Sequence, residues 1–169
     1  MKKEKMNDKG FSLVELIIVI AIMAVLVVVL APQYLKYVER SRNSTDLQNA
    51  TEIVTALQVY GSDPEATVPI PSTESVSIKV DSSDSATISG DFAVAALKDA
   101  GLADSTTGKL SMRCQSKTTW TSYTITGTAD GNGGLNFSYS NEGTNTTAFA
   151  DAMAGKSKTT TTTGDNSGN

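Results

Sequence analysis

The sequence predicts an α+β fold: one long N-terminal helix, half membrane-embedded and half amphipathic, packed against a small antiparallel β-sheet head. Three observations predict it. An apolar run from Phe11 to Ala31 carries no charge except Glu15. Apolar residues then recur at spacings of three and four from Leu47 to Tyr60, and the second half of the chain alternates apolar and polar residues between turn-forming stretches.

The apolar run comes first. Its 21 residues, Phe11 to Ala31, just cross a hydrocarbon core of about 30 Å at a rise of about 1.5 Å each. Lys2, Lys3, Lys5 and Lys9 precede it, a positive flank that holds the N-terminus in the cytoplasm. Glu15 is out of place in a simple anchor, because an unpaired carboxylate costs about 2.5–3.5 kcal/mol at mid-bilayer and less near the interface. It calls for a partner. The helix N-terminus offers a partial positive charge, and a cut between Gly10 and Phe11 would add the full charge of a new α-amine. A secretory signal peptide fits badly, since the site after Ala31 has Val29 at minus three and Pro32 directly after the cut. An uncleaved single-pass anchor is the other alternative. Pro32 has no N–H and presses on the carbonyl of Val28, which predicts a kink or loosening there.

Lys9-Gly10-Phe11-Ser12-Leu13-Val14-Glu15-Leu16, followed by the apolar run and Pro32, resembles the processing and assembly signature of type IV pilins and their pseudopilin relatives. The resemblance covers about the first 35 residues. It implies that a membrane prepilin peptidase cuts after Gly10 and methylates the new amine of Phe11, and that Glu15 then pairs with the terminal amine of a neighbouring copy. It also implies that Ala24 to Pro32 unwinds on assembly, a reading that stands beside a permanently kinked helix. The partners it implies are further copies of the chain in a filament, the peptidase, an assembly ATPase, a membrane platform protein, and lipid before assembly. The chain would then sit in the cytoplasmic membrane, N-terminus in, before joining a surface pilus. A minor pilin, a pseudopilin of a type II secretion or DNA-uptake system, and a membrane-tethered adhesin are the alternatives. Many pilins of double-membraned bacteria close a C-terminal loop with a disulfide; a single cysteine, Cys114, excludes that here and favours a Gram-positive-type source.

The expected organisation is a cleaved leader, 1–10; a membrane and filament-core helix, 11–32; an amphipathic helix and globular head, 33–154; and a disordered threonine-rich tail, 155–169. From Gln33 to Tyr60 the helical stripe is Leu47, Ala50, Ile53, Val54, Leu57 and Tyr60, ended by Gly61 to Pro64. Glu39 to Asp46 contains no aliphatic residue and is expected to stay solvated or to face other subunits. Ser75 to Val80 alternates strictly and reads as a half-buried strand. Asp91 to Ala100 reads as a short helix capped by Asp91 and closed by Gly101, with Phe92, Val94, Ala95, Leu97 and Leu102 directed at a sheet edge or nearby loop. A meander follows: strands over Lys109 to Cys114, Thr119 to Thr128 and Leu135 to Tyr139, the last two joined by a turn at Asp130 to Gly134.

Little in the sequence points to catalysis. Histidine is absent, which excludes Ser-His-Asp and Cys-His arrangements, and no glycine-rich phosphate loop feeds a helix. Removing residues 1–10, with four lysines against Glu4 and Asp8, takes the formal charge from −4 to −6. An acidic product argues against a broad nucleic-acid face. Asp81 and Asp84 sit in a serine-rich stretch that reads as a turn in preference to a calcium site, so no metal and no cofactor is expected. Cys114 reads as a small core residue. Trp120 has two readings, an exposed contact or a side chain turned inward by a bulge. The expected role is structural, not enzymatic.

Overall fold

The computed structural model describes residues 11–83 and 86–156. The leader with Gly10, Asp84 and Ser85, and residues 157–169 of the threonine-rich tail lie outside the described residues. The chain divides into two compact units, Met1–Val38 and Glu39–Asn169. One helix, α1 (Leu13–Ser62), contributes to both and is unbroken at Pro32. The isolated chain therefore has no unwound segment between Ala24 and Pro32.

In the second unit, α1 buries Asp46, Ala50, Ile53, Ala56, Leu57 and Tyr60. Apart from Ala56, these positions are spaced by four and three residues, which places them on one side of a 3.6-residue helix. They meet a four-stranded antiparallel sheet of order β2-β1-β3-β4, comprising β1 (Val76–Asp81), β2 (Thr87–Ser89), β3 (Ser122–Ala129) and β4 (Leu135–Glu142). Strand parity selects the buried face: Val76, Ile78 and Val80 of β1 point to the core, and Ile78 and Val80 stand opposite Ile125 and Tyr123 of β3. The other face of the sheet carries Ser, Thr and Asn together with Lys79, Asp81 and Glu142, the Lys79 ammonium donating to Glu142 Oε1 at 2.8 Å. Helix and strands share one hydrophobic cluster, as the two periodicities predict.

The turn between β3 and β4 follows its sequence. Asp130 Oδ1 accepts from the backbone N–H of Asn132 and Gly134 at 2.7 and 2.9 Å, while Gly131 and Gly133 take positive φ. A short helix, α2 (Asp91–Asp99), lies against β1 and β2, with the Phe92 ring edge-on to Tyr60 at 5.6 Å.

Five expectations need correction. Lys109 to Cys114 is not a strand: an isolated bridge joins Leu110 to Ala103, and Cys114 N–H bonds the Asp81 carbonyl at 3.0 Å. Its apolar parity still holds, with Leu110 and Cys114 buried, because extended backbone alternates side chains with or without a ladder. Gly90, not Asp91, is the N-cap of α2, with no side-chain cap bond. Edge strand β2 and a last helix, α3 (Ala148–Met153), were not expected; each is too short to show a period. Trp120 is buried, 2% exposed, which removes the exposed-contact reading. Finally, Glu39 and Asp46 are not solvated, for reasons given below.

Candidate functional site

The unit ending at Val38 leaves its apolar side chains uncovered. Sixteen large apolar residues between Phe11 and Leu30 are 45–87% exposed, so no face of this stem is used by the described chain. Each such side chain gains about 1.5–3 kcal/mol when fully removed from water, and the stem is long and apolar enough to cross a membrane. It requires lipid or other protein around it.

The stem's polar feature lies at its start. Ser12 precedes the helix, and its carbonyl accepts from Leu16 N–H at 3.2 Å. Glu15 reaches back one turn, so that its Oε2 accepts from Ser12 N–H at 2.8 Å. This is one half of the capping-box arrangement that Ser-x-x-Glu encodes. Helical side chains lean toward the N-terminus, so the carboxylate is directed at the Phe11–Ser12 end, where helix N–H groups are unpaired and carry partial positive charge. Phe11 is 87% exposed. Pro32 is 17 residues beyond Glu15, about 25 Å along the axis, so the two belong to separate places on the stem.

A second constellation, in the other unit, was not anticipated. Glu39 and Asp46 are seven residues, about two turns, apart on α1 and share one side of it. Between them they hold the segment Cys114 to Trp120. Glu39 Oε1 accepts from the Ser116 hydroxyl at 2.7 Å and from the backbone N–H of Lys117, Thr118 and Thr119 at 2.9, 2.8 and 3.2 Å. Asp46, fully buried, accepts from Gln115 N–H at 2.7 Å through Oδ1. Its Oδ2 accepts from Ser116 N–H at 2.9 Å, Trp120 Nε1–H at 2.8 Å and, weakly, Cys114 Sγ at 3.5 Å.

Every partner of these two acids is a donor, which suits an acceptor-only carboxylate. Burial pushes Glu39 up, but the Ser116 hydroxyl and the N–H groups of Thr118, Lys117 and Thr119 outweigh it and hold its pKa down to about 2. Burial, reinforced by Asp46, pushes the Cys114 thiol up to about 12, which fits its assignment as an inert core residue. Trp120 packs edge-on against Phe149 at 5.2 Å, and Phe149 stacks on Tyr123 at 4.4 Å. The sequence held one signal for this: a donor-rich Gln-Ser-Lys-Thr-Thr-Trp run lacking a helical or strand period, and two acids at helical spacing near an apolar stripe. Among the described residues no His, Cys, Asp and Glu cluster could hold a metal, and Asp81 accepts from Ser83 N–H in a local turn.

Comparison with known proteins bears on the stem. The family described as "Prokaryotic N-terminal methylation motif" matches residues 5–31. Three curated sequences called "Type IV major fimbrial protein FimA", from Dichelobacter nodosus, are each 39% identical over 54 residues, 32% of this chain and 34–35% of theirs. The matched segment thus spans about a third of the length of these relatives. No solved structure matches the chain at a significant level.

Proposed function

We propose, from the membership of the type IV pilin family that its N-terminal stem establishes, that this chain is a filament subunit. In this reading prepilin peptidase cuts it between Gly10 and Phe11 and methylates the Phe11 amine, and the subunits assemble through residues 11–32. The observation that carries the proposal is an apolar stem exposed on every side, with one carboxylate a single turn from its start. Before assembly the stem sits in the cytoplasmic membrane, N-terminus inward, with the head outside; afterwards it lies in the core of a surface pilus.

The mechanism is physical. Stems exchange lipid for one another, and Glu15 of one copy meets the Phe11 amine of the next in a medium of low dielectric, where such a pair is strong only at one spacing. This fixes the axial step that apolar contact leaves undefined. An assembly ATPase and a membrane platform protein supply the work of extraction. A minor pilin or pseudopilin would share the stem and differ in abundance.

Two measurements on sheared surface filaments test the proposal. Mass spectrometry should find N-methyl-Phe11 as the first residue, and Glu15→Ala should leave that processing intact while filament yield falls. Filaments whose subunits retain residues 1–10, or undiminished yield from Glu15→Ala, would overturn it.

A further inference from the structure

We propose that Tyr34, Leu35, Lys36 and Tyr37 form a belt that seats the stem, before assembly, in the phosphate-bearing headgroup layer on the outer side of the membrane. The inference rests on the membrane reading above and adds a lipid contact beyond the apolar run. Every residue from Phe11 to Tyr37 is exposed, and Val38 is the first that is not. Those 27 residues rise about 40 Å at helical spacing. A hydrocarbon core accounts for about 30 Å of this, and a whole bilayer with its headgroups for about 40–45 Å. The uncovered stem is thus longer than hydrocarbon alone requires.

The chemistry changes where the excess begins. Phe11 to Ala31 fills the hydrocarbon; Pro32 to Tyr37, six residues or about 9 Å, is on the scale of one headgroup layer. Two of the chain's five tyrosines lie in this short stretch, 67% and 71% exposed. Tyrosine presents an apolar ring and a polar hydroxyl, so it rests where hydrocarbon gives way to water. Lys36 is the only charged residue between Glu15 and Glu39. Its methylenes can lie along the stem while the ammonium reaches lipid phosphate.

The arrangement favours a layer over a second protein. Tyr34 to Tyr37 are consecutive residues of one continuous helix, about one full turn, so their side chains are distributed around every side of it. All four are exposed. A partner helix would use a stripe at spacings of three and four, whereas a planar layer surrounds the stem and meets a ring. The belt also sets depth. Glu15 lies 21 residues before Lys36, about 32 Å along the axis, so a belt held at the outer headgroups leaves Glu15 near the inner edge of the hydrocarbon. There a carboxylate costs least, and there the proposed cut at Gly10–Phe11 is made.

The test uses the full chain in vesicles of equal parts phosphatidylglycerol and phosphatidylcholine. Gln33→Cys places a thiol beside the belt to carry a fluorophore, while buried Cys114 stays unlabelled. Lipids with a nitroxide at the headgroup should quench that fluorophore more strongly than lipids with a nitroxide at the acyl-chain end. Adding Tyr34→Leu, Lys36→Leu and Tyr37→Leu extends the apolar stretch to Val38, so the fluorophore should sink by about 5 Å, one helical turn, and the preference should invert. Stronger chain-end quenching with Gln33→Cys alone, an unchanged pattern after the three further substitutions, or a pattern set by the protein-to-lipid ratio, as packing between copies would give, would overturn the belt and leave the membrane reading intact. A chain that alkaline carbonate strips from the vesicles would overturn both.

Discussion

Substituting Asn for Asp46 exchanges one carboxylate oxygen for an amide NH2 and leaves the side-chain shape unchanged. Asp46 serves three N–H donors at 2.7–2.9 Å, with Gln115 N–H on one oxygen and Ser116 N–H and Trp120 Nε1–H on the other. An amide has one oxygen to offer. Turned toward Gln115, it would set its NH2 against two donors on residues that are 1% and 2% exposed. Turned toward Ser116 and Trp120, it opposes only Gln115, an exposed residue whose N–H water can reach. The second orientation wins. The two bonds it keeps lose charge assistance, about 1 kcal/mol each, and the third N–H costs about 1 kcal/mol more. The expected loss is about 2–4 kcal/mol, or about 10 °C in Tm for a head of this size. Trp120 is the single tryptophan and touches the altered group, so its fluorescence during urea unfolding of the full chain in detergent measures the effect at its source. Glu52→Gln, on the exposed side of the same helix, should change stability by less than about 0.5 kcal/mol. An Asp46→Asn variant as stable as that control would refute the reasoning.

Three further outcomes follow from the same contacts. The Glu39 pKa is lowered from 4.5 to about 2 on folding, so its stabilisation is complete above about pH 5 and is lost as pH falls toward 2; the difference in urea stability between the parent chain and Glu39→Gln should shrink by about 1–2 kcal/mol from pH 7 to pH 3, allowing for solvent screening at a side chain 13% exposed. Buried and held at about 12, the Cys114 thiol should resist alkylation at pH 8 in the folded chain and react fully in urea; rapid native labelling would contradict its placement. Gly127→Ala would put a Cβ at 2.9 Å from Val76 Cγ2 and 3.3 Å from a Phe137 ring carbon, and should cost about 1–3 kcal/mol in a thermal melt.

The long helix, the strand at Val76, the β3–β4 hairpin and the stem's carboxylate were legible because each is announced by local chemistry: a period, a turn composition, or a charge in an apolar run. The clamp on Cys114 to Trp120 was not. Its bonds join residues 68 to 80 positions apart, and sequence spacing carries no information about contacts that the fold creates. Glu39 and Asp46 read as solvated because acids on helices usually are. Their inward direction follows from a loop that has no ladder to satisfy its N–H groups and so takes carboxylates as acceptors. The same loss of ladder explains why Lys109 to Cys114 kept the parity of a strand without becoming one.

On the proposed reading, the stem's hydrophobicity cannot be what drives polymerisation. Its sixteen exposed apolar side chains represent tens of kcal/mol against water, enough to keep it out of water at every stage. Yet lipid tails are as apolar as a neighbouring stem, so moving from one to the other changes little in that account. The terms left to favour the filament are those that lipid cannot imitate: a carboxylate meeting an amine in low dielectric, close helix packing, and contacts between heads. A subunit with a normal head and Glu15→Ala should therefore remain a stable membrane monomer, processed and folded, that fails to polymerise for want of register and not for want of grease.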